Sequence, residues 1–304
     1  MRISTNTIYQ SGINKIGSLQ NDQAKLQQQI STGKRISLPS DDPIASTQIL
    51  KISHAQEVSA SFTATRQTAQ LKLNTLESSL TSVTNLLVST QSTLIGAGNG
   101  SLSNQERVNI GTELNNSLQA LIGLANTQDE SGNFIYAGFN TGSAPFVANA
   151  TGATYTGDSS QQLLQVDVQR QMAVNASGDS VFQASGYDVF STLSSLVTLL
   201  NTPITNAATQ TAFNNGITSA IGNLQGSVDN VINVRAAIGS KLNEIDSLNT
   251  AGSDRDLQYS KSRSNLEDLD YASALSDLSK NQTIMEAAQK SFVETTKLSL
   301  FQYI

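Results

Sequence analysis

The chain has 304 residues, of which only 14% are charged and 5% aromatic, with no Trp and no Cys. The missing Cys excludes disulfides, thiolate metal sites and Cys nucleophiles, and the shortage of aromatics argues against a deep aromatic-lined pocket. A net charge of −6 argues against general nucleic-acid binding, which needs a basic face.

The charge is unevenly placed. Residues 1–40 carry five Lys or Arg against the single acid Asp22, whereas residues 266–304 carry three Lys against six acids. Opposite signs favour pairing of the two ends, although exposed ion pairs contribute little individually. No segment has signal-peptide form or transmembrane length, so no membrane contact is expected, and both a cytosolic protein and one exported by a route that reads no cleaved signal fit.

Residues 1–37 are polar but periodic. Tyr9, Gly12, Ile16, Leu19, Gln23, Leu26 and Ile30 step by three and four, a weak heptad seam of a helix that packs along another helix. Gly33 is placed to end it in a left-handed cap. Pro39-Ser40-Asp41-Asp42-Pro43 follows. Adjacent carboxylates point apart and no His lies nearby, so Asp41 or Asp42 is expected to cap the next helix, with Pro43 in its first turn, rather than to bind metal.

Residues 43–95 are expected to form one helix about 78 Å long. Its seam is Ala55, Val58, Phe62, Thr65, Ala69, Leu73, Leu76, Leu80, Val83, Leu87, Thr90 and Leu94, with one extra residue between Thr65 and Leu73, a stutter. His54 stands alone and is read as a surface residue. Gly96 to Gly100 breaks the helix and lacks the Lys-Ser/Thr of a phosphate loop, so it is read as a turn. A second helix is expected from Asn104 to Gln128.

At Ser131 the period changes. Segments 134–139, 154–155, 163–168 and 172–174 are strand-like and separated by turn residues, which predicts a small β insertion over 132–186. Its aromatics Phe134, Tyr136, Phe139, Phe146 and Tyr155 leave two readings open, a small-domain core or a carbohydrate-binding or enzymatic surface.

Helical period returns at Tyr187 to Leu200, and again from Ile217 to Ile245, where only Arg235 interrupts the apolar face. Gly216, Gly222, Gly226 and Gly239 lie within that run. Each costs about 1 kcal/mol relative to Ala unless another group must come close. The polar stretch 249–264 leads into the tail, where Ala274, Leu278, Asn281, Met285, Ala288, Phe292 and Thr295 form another thin seam. Leu298, Leu300, Phe301, Tyr303 and Ile304 then end the chain on apolar residues, unlike the usual polar terminus.

The fold class expected is mainly α with a small β insertion: an elongated antiparallel helical rod with its N- and C-terminal helices paired. The expected segments are terminal helices over 1–42 and 265–304, which order fully only among neighbouring subunits, a helical rod over 43–131 and 187–264, and an outer β domain over 132–186. No nucleophile, base and acid converge, so no catalytic, cofactor or metal residues are expected and the protein is read as no enzyme. The interface residues expected on the terminal seams are Ile16, Leu19, Leu26, Ile30, Leu278, Met285, Phe292, Leu300, Phe301 and Ile304.

Several motifs resemble those of the hook-associated protein 3 family, the hook–filament junction proteins of bacterial flagella. They are Met1 to Thr5, Gln29-Ile30-Ser31-Thr32-Gly33-Lys34-Arg35-Ile36, Pro39 to Pro43, Asn133 to Gly138, Tyr155 to Asp158, Val181-Phe182, Asp268 to Ala272 and Ser299 to Ile304. Flagellin is similar in architecture, but Gln29 to Gly33 and Asp41-Asp42-Pro43 depart from its usual pattern. The resemblance implies a ring subunit between hook-associated protein 1 and flagellin, outside the cell. It also implies export through the flagellar type III apparatus, with a cytoplasmic chaperone on the C-terminal tail. A minor flagellin is the alternative it leaves.

Overall fold

The computed structural model describes the backbone of residues 5–301, and side chains from Thr7 to Thr296 except those of Ile8 and Ser185. The elements in order are α1 (Thr5–Thr32), α2 (Pro43–Ala97), α3 (Asn104–Ala125), β1 (Phe146–Asn149), β2 (Gly152–Tyr155), β3 (Leu163–Asp167), β4 (Arg170–Ala173), α4 (Gly178–Phe182), α5 (Val189–Asn201), α6 (Ala207–Glu267) and α7 (Tyr271–Phe301). The fold is mainly α with a few short antiparallel strands. Two compact units are formed, one from residues 1–59 with 253–304 and the other from residues 60–252. The long helices α2 and α6 contribute to both.

The 60–252 unit holds a continuous apolar core. Leu73, Leu76, Leu80, Val83, Leu87, Thr90 and Leu94 of α2 are all buried, as the heptad spacing predicts. Leu114, Leu118 and Leu121 of α3, Leu193, Leu196 and Leu200 of α5, and Leu224, Val228 and Val231 of α6 complete it. The expected stutter is absent. The inward line of α2 runs through Ser59 and Arg66, not Val58 and Thr65, so the three–four step is unbroken. An apolar-only reading passes over Arg66 because it is charged, yet it is only 1% exposed.

Arg235, the expected flaw in the α6 face, is turned to use. Its guanidinium donates to Oε1 of Glu77 on α2 at 2.7 and 2.9 Å, so both charges are half-buried as a pair. The expected polar stretch at 249–264 does not interrupt α6, which is helical through all 61 residues to Glu267.

The β insertion is two antiparallel hairpins. β1 pairs with β2, Phe146 opposite Tyr155, and β3 pairs with β4, Leu163 opposite Ala173, with a bulge between Gln165 and Asp167. The alternation read at 163–168 holds as far as buried Val166, whereas Val168 lies in the hairpin turn and is exposed. Segment 134–139 is not a strand. It is turn-rich, joined to the end of α3 by one bridge, Gln128 to Phe134, and Gly138 takes φ +66° with the Asp158 carbonyl against it. A Cβ there would overlap that oxygen, which no strand residue tolerates. Strand β1, missed in sequence, is only four residues and half of it is Ala and Asn.

Of the aromatics singled out in the insertion, Tyr136 and Phe146 are buried in the core and Tyr155 packs against it, whereas Phe134 is half-buried and Phe139 is exposed. Phe146 packs against Tyr155, Phe182 and Phe190 with ring centroids 4.8–5.4 Å apart, and Tyr136 meets Phe182 edge-on at 5.2 Å. Tyr136 is fully buried and donates to Ser79 Oγ on α2 at 2.9 Å. Burial pushes its phenol well above the usual range, and pushes that of Tyr155 up to about 12.

The glycines of α6 divide by environment. A Cβ at Gly226 would sit 2.8 Å from the Tyr187 ring and one at Gly216 2.6 Å from Leu199, so these are close approaches. Gly222 is exposed and faces open space. Gly222→Ala is therefore expected to stabilise the protein by about 1 kcal/mol through helix propensity. Thermal melting should show a rise of about 2–4 °C, whereas Gly226→Ala should show none.

Candidate functional site: the paired ends and their clasp

In the unit formed by residues 1–59 and 253–304, α1 packs along α7. From Gly12 onward the inward line of α1 is the predicted one, whereas Tyr9 is exposed. Leu19 is buried, and Gly12, Ile16, Gln23, Leu26 and Ile30 are half-buried. On α7, Ala274 is buried, and Leu278, Asn281, Met285, Ala288 and Phe292 are half-buried. The predicted Thr295 is exposed and Thr296 faces inward instead, because a helix of 3.6 residues per turn drifts from a strict heptad. Of the expected interface residues, Leu300, Phe301 and Ile304 lie outside the described side chains.

Gly12 has a physical reason to be glycine. A Cβ there would stand 2.6 Å from Cδ2 of Phe292. The Phe292 ring instead lies over the bare α1 backbone and meets the Tyr9 ring at 5.2 Å. Phe292 is thus an aromatic contact between α7 and α1 that a bare backbone at position 12 admits.

The core here is thin. Among the described residues, only Leu19, Ile36, Ala45 and Ala274 of this unit are buried hydrophobics. Leu278, Met285 and Phe292 keep part of their apolar surface in water, and Leu275, Ile284 and Val293 are exposed.

What fixes the pair at one end is a clasp between two chain breaks. Gly33, at φ +70°, ends α1 as predicted, its N–H donating to Gln29 O at 2.8 Å. The next residue, Lys34, forms a β-bridge with Asp268, in the break between α6 and α7. Arg35 N–H donates to Glu267 O at 2.7 Å, and Leu269 N–H to Gly33 O at 3.0 Å. The Arg35 guanidinium donates to Leu266 O at 2.9 Å, and Lys34 pairs with Glu267.

The neighbouring carboxylates hold the turns. Asp42 caps α2 by accepting from Ala45 N–H at 3.0 Å, and Pro43 is the first helical residue, as the sequence suggests. Asp41 does a different job: it accepts from the Ser37 and Leu38 amides and pairs with Lys25 at 2.9 Å. The Leu38 amide and Lys25 hold its carboxyl below the usual range, and the Ala45 amide and Arg35 do the same for Asp42. Asp270 caps α7 through Ala272 N–H at 3.0 Å.

Charge complementarity therefore acts, among the described residues, at the clasp and not along the helices. Among the described residues, no ion pair joins α1 to α7, and Asp277, Glu286 and Glu294 of α7 have no ion-pair partner. Lys34 and Arg35 stand in a motif that carries the resemblance, but their contacts with Glu267 were not predicted, although opposite charges at the two breaks were the available signal. No helix is long and apolar enough to cross a membrane among the described residues.

The clasp joins two of the motifs that carry the sequence resemblance, and comparison with known proteins agrees. The family model for the bacterial flagellin N-terminal helical region matches residues 3–141, and that for the flagellin C-terminal helical region matches residues 219–304. Both ends thus fall in the flagellin class of helical proteins. Flagellar hook-associated protein 3 of Escherichia coli (strain K12) is 34% identical over 316 residues, covering 99% of each chain, and that of Salmonella typhimurium matches equally. The chain belongs to the flagellar hook-associated protein 3 family. The fold is also that of a hook-associated protein from Vibrio parahaemolyticus (TM-score 0.69, 24% identity, 75% of this chain and 100% of that one). Hook-associated protein 3 from Legionella pneumophila is similar too (TM-score 0.66, 18% identity, 72% and 98%).

Proposed function

We propose that the protein is a non-catalytic adapter of the flagellum, joining hook to filament as one of a ring of like subunits outside the cell. Its neighbours in the assembled structure are hook-associated protein 1 on one side and flagellin on the other. The segments 1–42 and 265–304 make the subunit contacts, through Ile16, Leu19, Leu26, Ile30, Leu278, Met285, Phe292 and the last apolar residues Leu300, Phe301 and Ile304. Before assembly, the same tail is the part an export chaperone covers on the way to the type III apparatus.

One observation carries this reading: among the described residues the terminal unit buries four hydrophobic residues, while its aligned seam stays half in water. Helical stability comes mostly from packing an apolar face, so a pair with so thin a core gains most from further helices. The acids of α7 without ion-pair partners face the same need.

Deleting residues 266–304 should leave a soluble protein with its cooperative melting transition intact and no capacity to assemble. Global unfolding of the truncated chain would place the tail in the domain core and end the proposal. A strain lacking the protein should shed filament protein into the medium. Shortened but attached filaments would instead mark a minor filament subunit.

A further inference from the structure

Two Asn-Gly pairs occur in the chain, Asn99-Gly100 and Asn215-Gly216, and the fold treats them oppositely. Asn-Gly is the pair in which a backbone nitrogen most readily attacks the side-chain amide, because glycine has no Cβ to block the approach. Asn215 and Gly216 lie inside α6, where the backbone is held in helical hydrogen bonds and Leu199 packs over Gly216. Asn99 and Gly100 lie in the turn between α2 and α3, and both are exposed.

The turn fixes the Asn99 side-chain amide by its oxygen. Asn99 Oδ1 accepts from Ser101 N–H at 3.2 Å and from Ser101 Oγ at 2.9 Å. These donors draw electron density from Cγ and are placed to stabilise the oxyanion that forms on Oδ1 when Cγ is attacked. The flanking backbone bonds run from Asn99 N–H to Gly96 O and from Leu102 N–H to Asn99 O, so neither occupies the Gly100 nitrogen.

We infer that Asn99 is a site of self-modification by deamidation through a cyclic imide, and that the fold confines this chemistry to Asn99. The Gly100 backbone nitrogen gives its proton to water or hydroxide and bonds to Asn99 Cγ. The tetrahedral adduct collapses by breaking the Cγ–Nδ2 bond, and the nitrogen leaves as ammonia with a proton from water. The ring then takes up one water and opens to aspartate or to an isoaspartyl linkage. The balance is one water consumed and one ammonia released, with no oxidation. The product carries one new negative charge at the turn, and the isoaspartyl form lengthens the backbone there by one methylene.

The test is ageing of the purified full-length protein at mildly alkaline pH, followed by peptide mass mapping with isoaspartate detection. Asn99 should convert more than about tenfold faster than Asn215, the ratio that even a modest opening cost of α6 imposes. In denaturant the two sites should converge, because the selectivity belongs to the fold. Gly100 does not have positive φ and a Cβ there meets nothing, so Gly100→Ala should fold unchanged and slow conversion at Asn99 by more than about tenfold. Equal rates at the two sites in the folded protein, no conversion at Asn99, or an undiminished rate in Gly100→Ala would each overturn the inference.

Discussion

Arg66→Met should lower the stability of the protein by about 3 kcal/mol although it preserves most of the buried volume. Arg66 is 1% exposed and touches three parts of the 60–252 unit. Its Nε donates to Asn249 Oδ1 on α6 at 2.6 Å, Nη1 to the Val166 carbonyl on β3 at 3.1 Å, and Nη2 to Thr63 Oγ1 at 2.9 Å. Burying a guanidinium is itself costly, so an apolar replacement could in principle be neutral. Here the acceptors decide the sign. The half-buried Asn249 amide and the buried Val166 carbonyl remain in place when the donor is removed, and a buried acceptor left unpaired costs about 1–3 kcal/mol.

Chemical denaturation should show the midpoint falling with the slope unchanged. Arg66→Lys should recover only part of the loss, because one ammonium cannot reach three divergent acceptors. Adding Asn249→Leu to Arg66→Met should restore part of the stability, which a role in packing alone would not produce. A variant as stable as the parent would show that the three bonds are replaced by water. Gly252→Ala probes the same point from the other side, since its Cβ would stand 2.8 Å from Arg66 Nη2.

Arg66 also shows why some of the fold was legible in sequence and some was not. Periodicity located every long helix and the inward faces of α1, α2 and α7, because burying an apolar stripe is what makes a helix stable and leaves a three–four record. The same rule misread α2 at 58 and 65, since it counts apolar residues and the true seam position is an arginine whose partners lie 100 and 183 residues away. The strands were read less well. Four-residue strands leave too few positions for a period of two, and in the turn-rich segment 134–139 only Tyr136 of the three aromatics reaches the core, so its apolar character did not mark a ladder.

Capping followed local chemistry and could be read at Asp42 and Gly33. The reciprocal cap of α3, Ser103 with Glu106, was equally visible as Ser-x-x-Glu but was passed over. The clasp was harder. Each of its halves looks like an ordinary helix break, and the pairing of Lys34 with Asp268 spans nearly the whole chain. Resemblance supplied the two segments as motifs, and the structure supplies the reason they belong together.

Phe292→Ala should abolish assembly while leaving the main melting transition within about 0.5 kcal/mol of the parent. The two effects separate because Phe292 lies outside the continuous core, which runs from Ala69 to Ile245. In the free chain the ring is half-buried over Gly12 and beside Tyr9, so its loss frees little buried surface. In the proposed ring, neighbouring subunits cover the exposed remainder, and truncating a fully buried Phe costs about 3–5 kcal/mol. The lower figure, less the small cost in the free chain, weakens each association by about fifty- to a hundredfold.

Cells carrying only Phe292→Ala should therefore release filament protein into the medium, whereas Val293→Ala, exposed on the adjacent face, should not. Gly12→Leu should reproduce the Phe292→Ala defect from the opposite helix, because its side chain takes the space the ring occupies. Normal filaments in Phe292→Ala would show that the aromatic contact is incidental to assembly. A collapse of the main transition would show that the terminal pair supports the core after all. Loss of assembly from both sides of one contact, with the core intact, is the outcome that requires the thin seam to be completed by other copies.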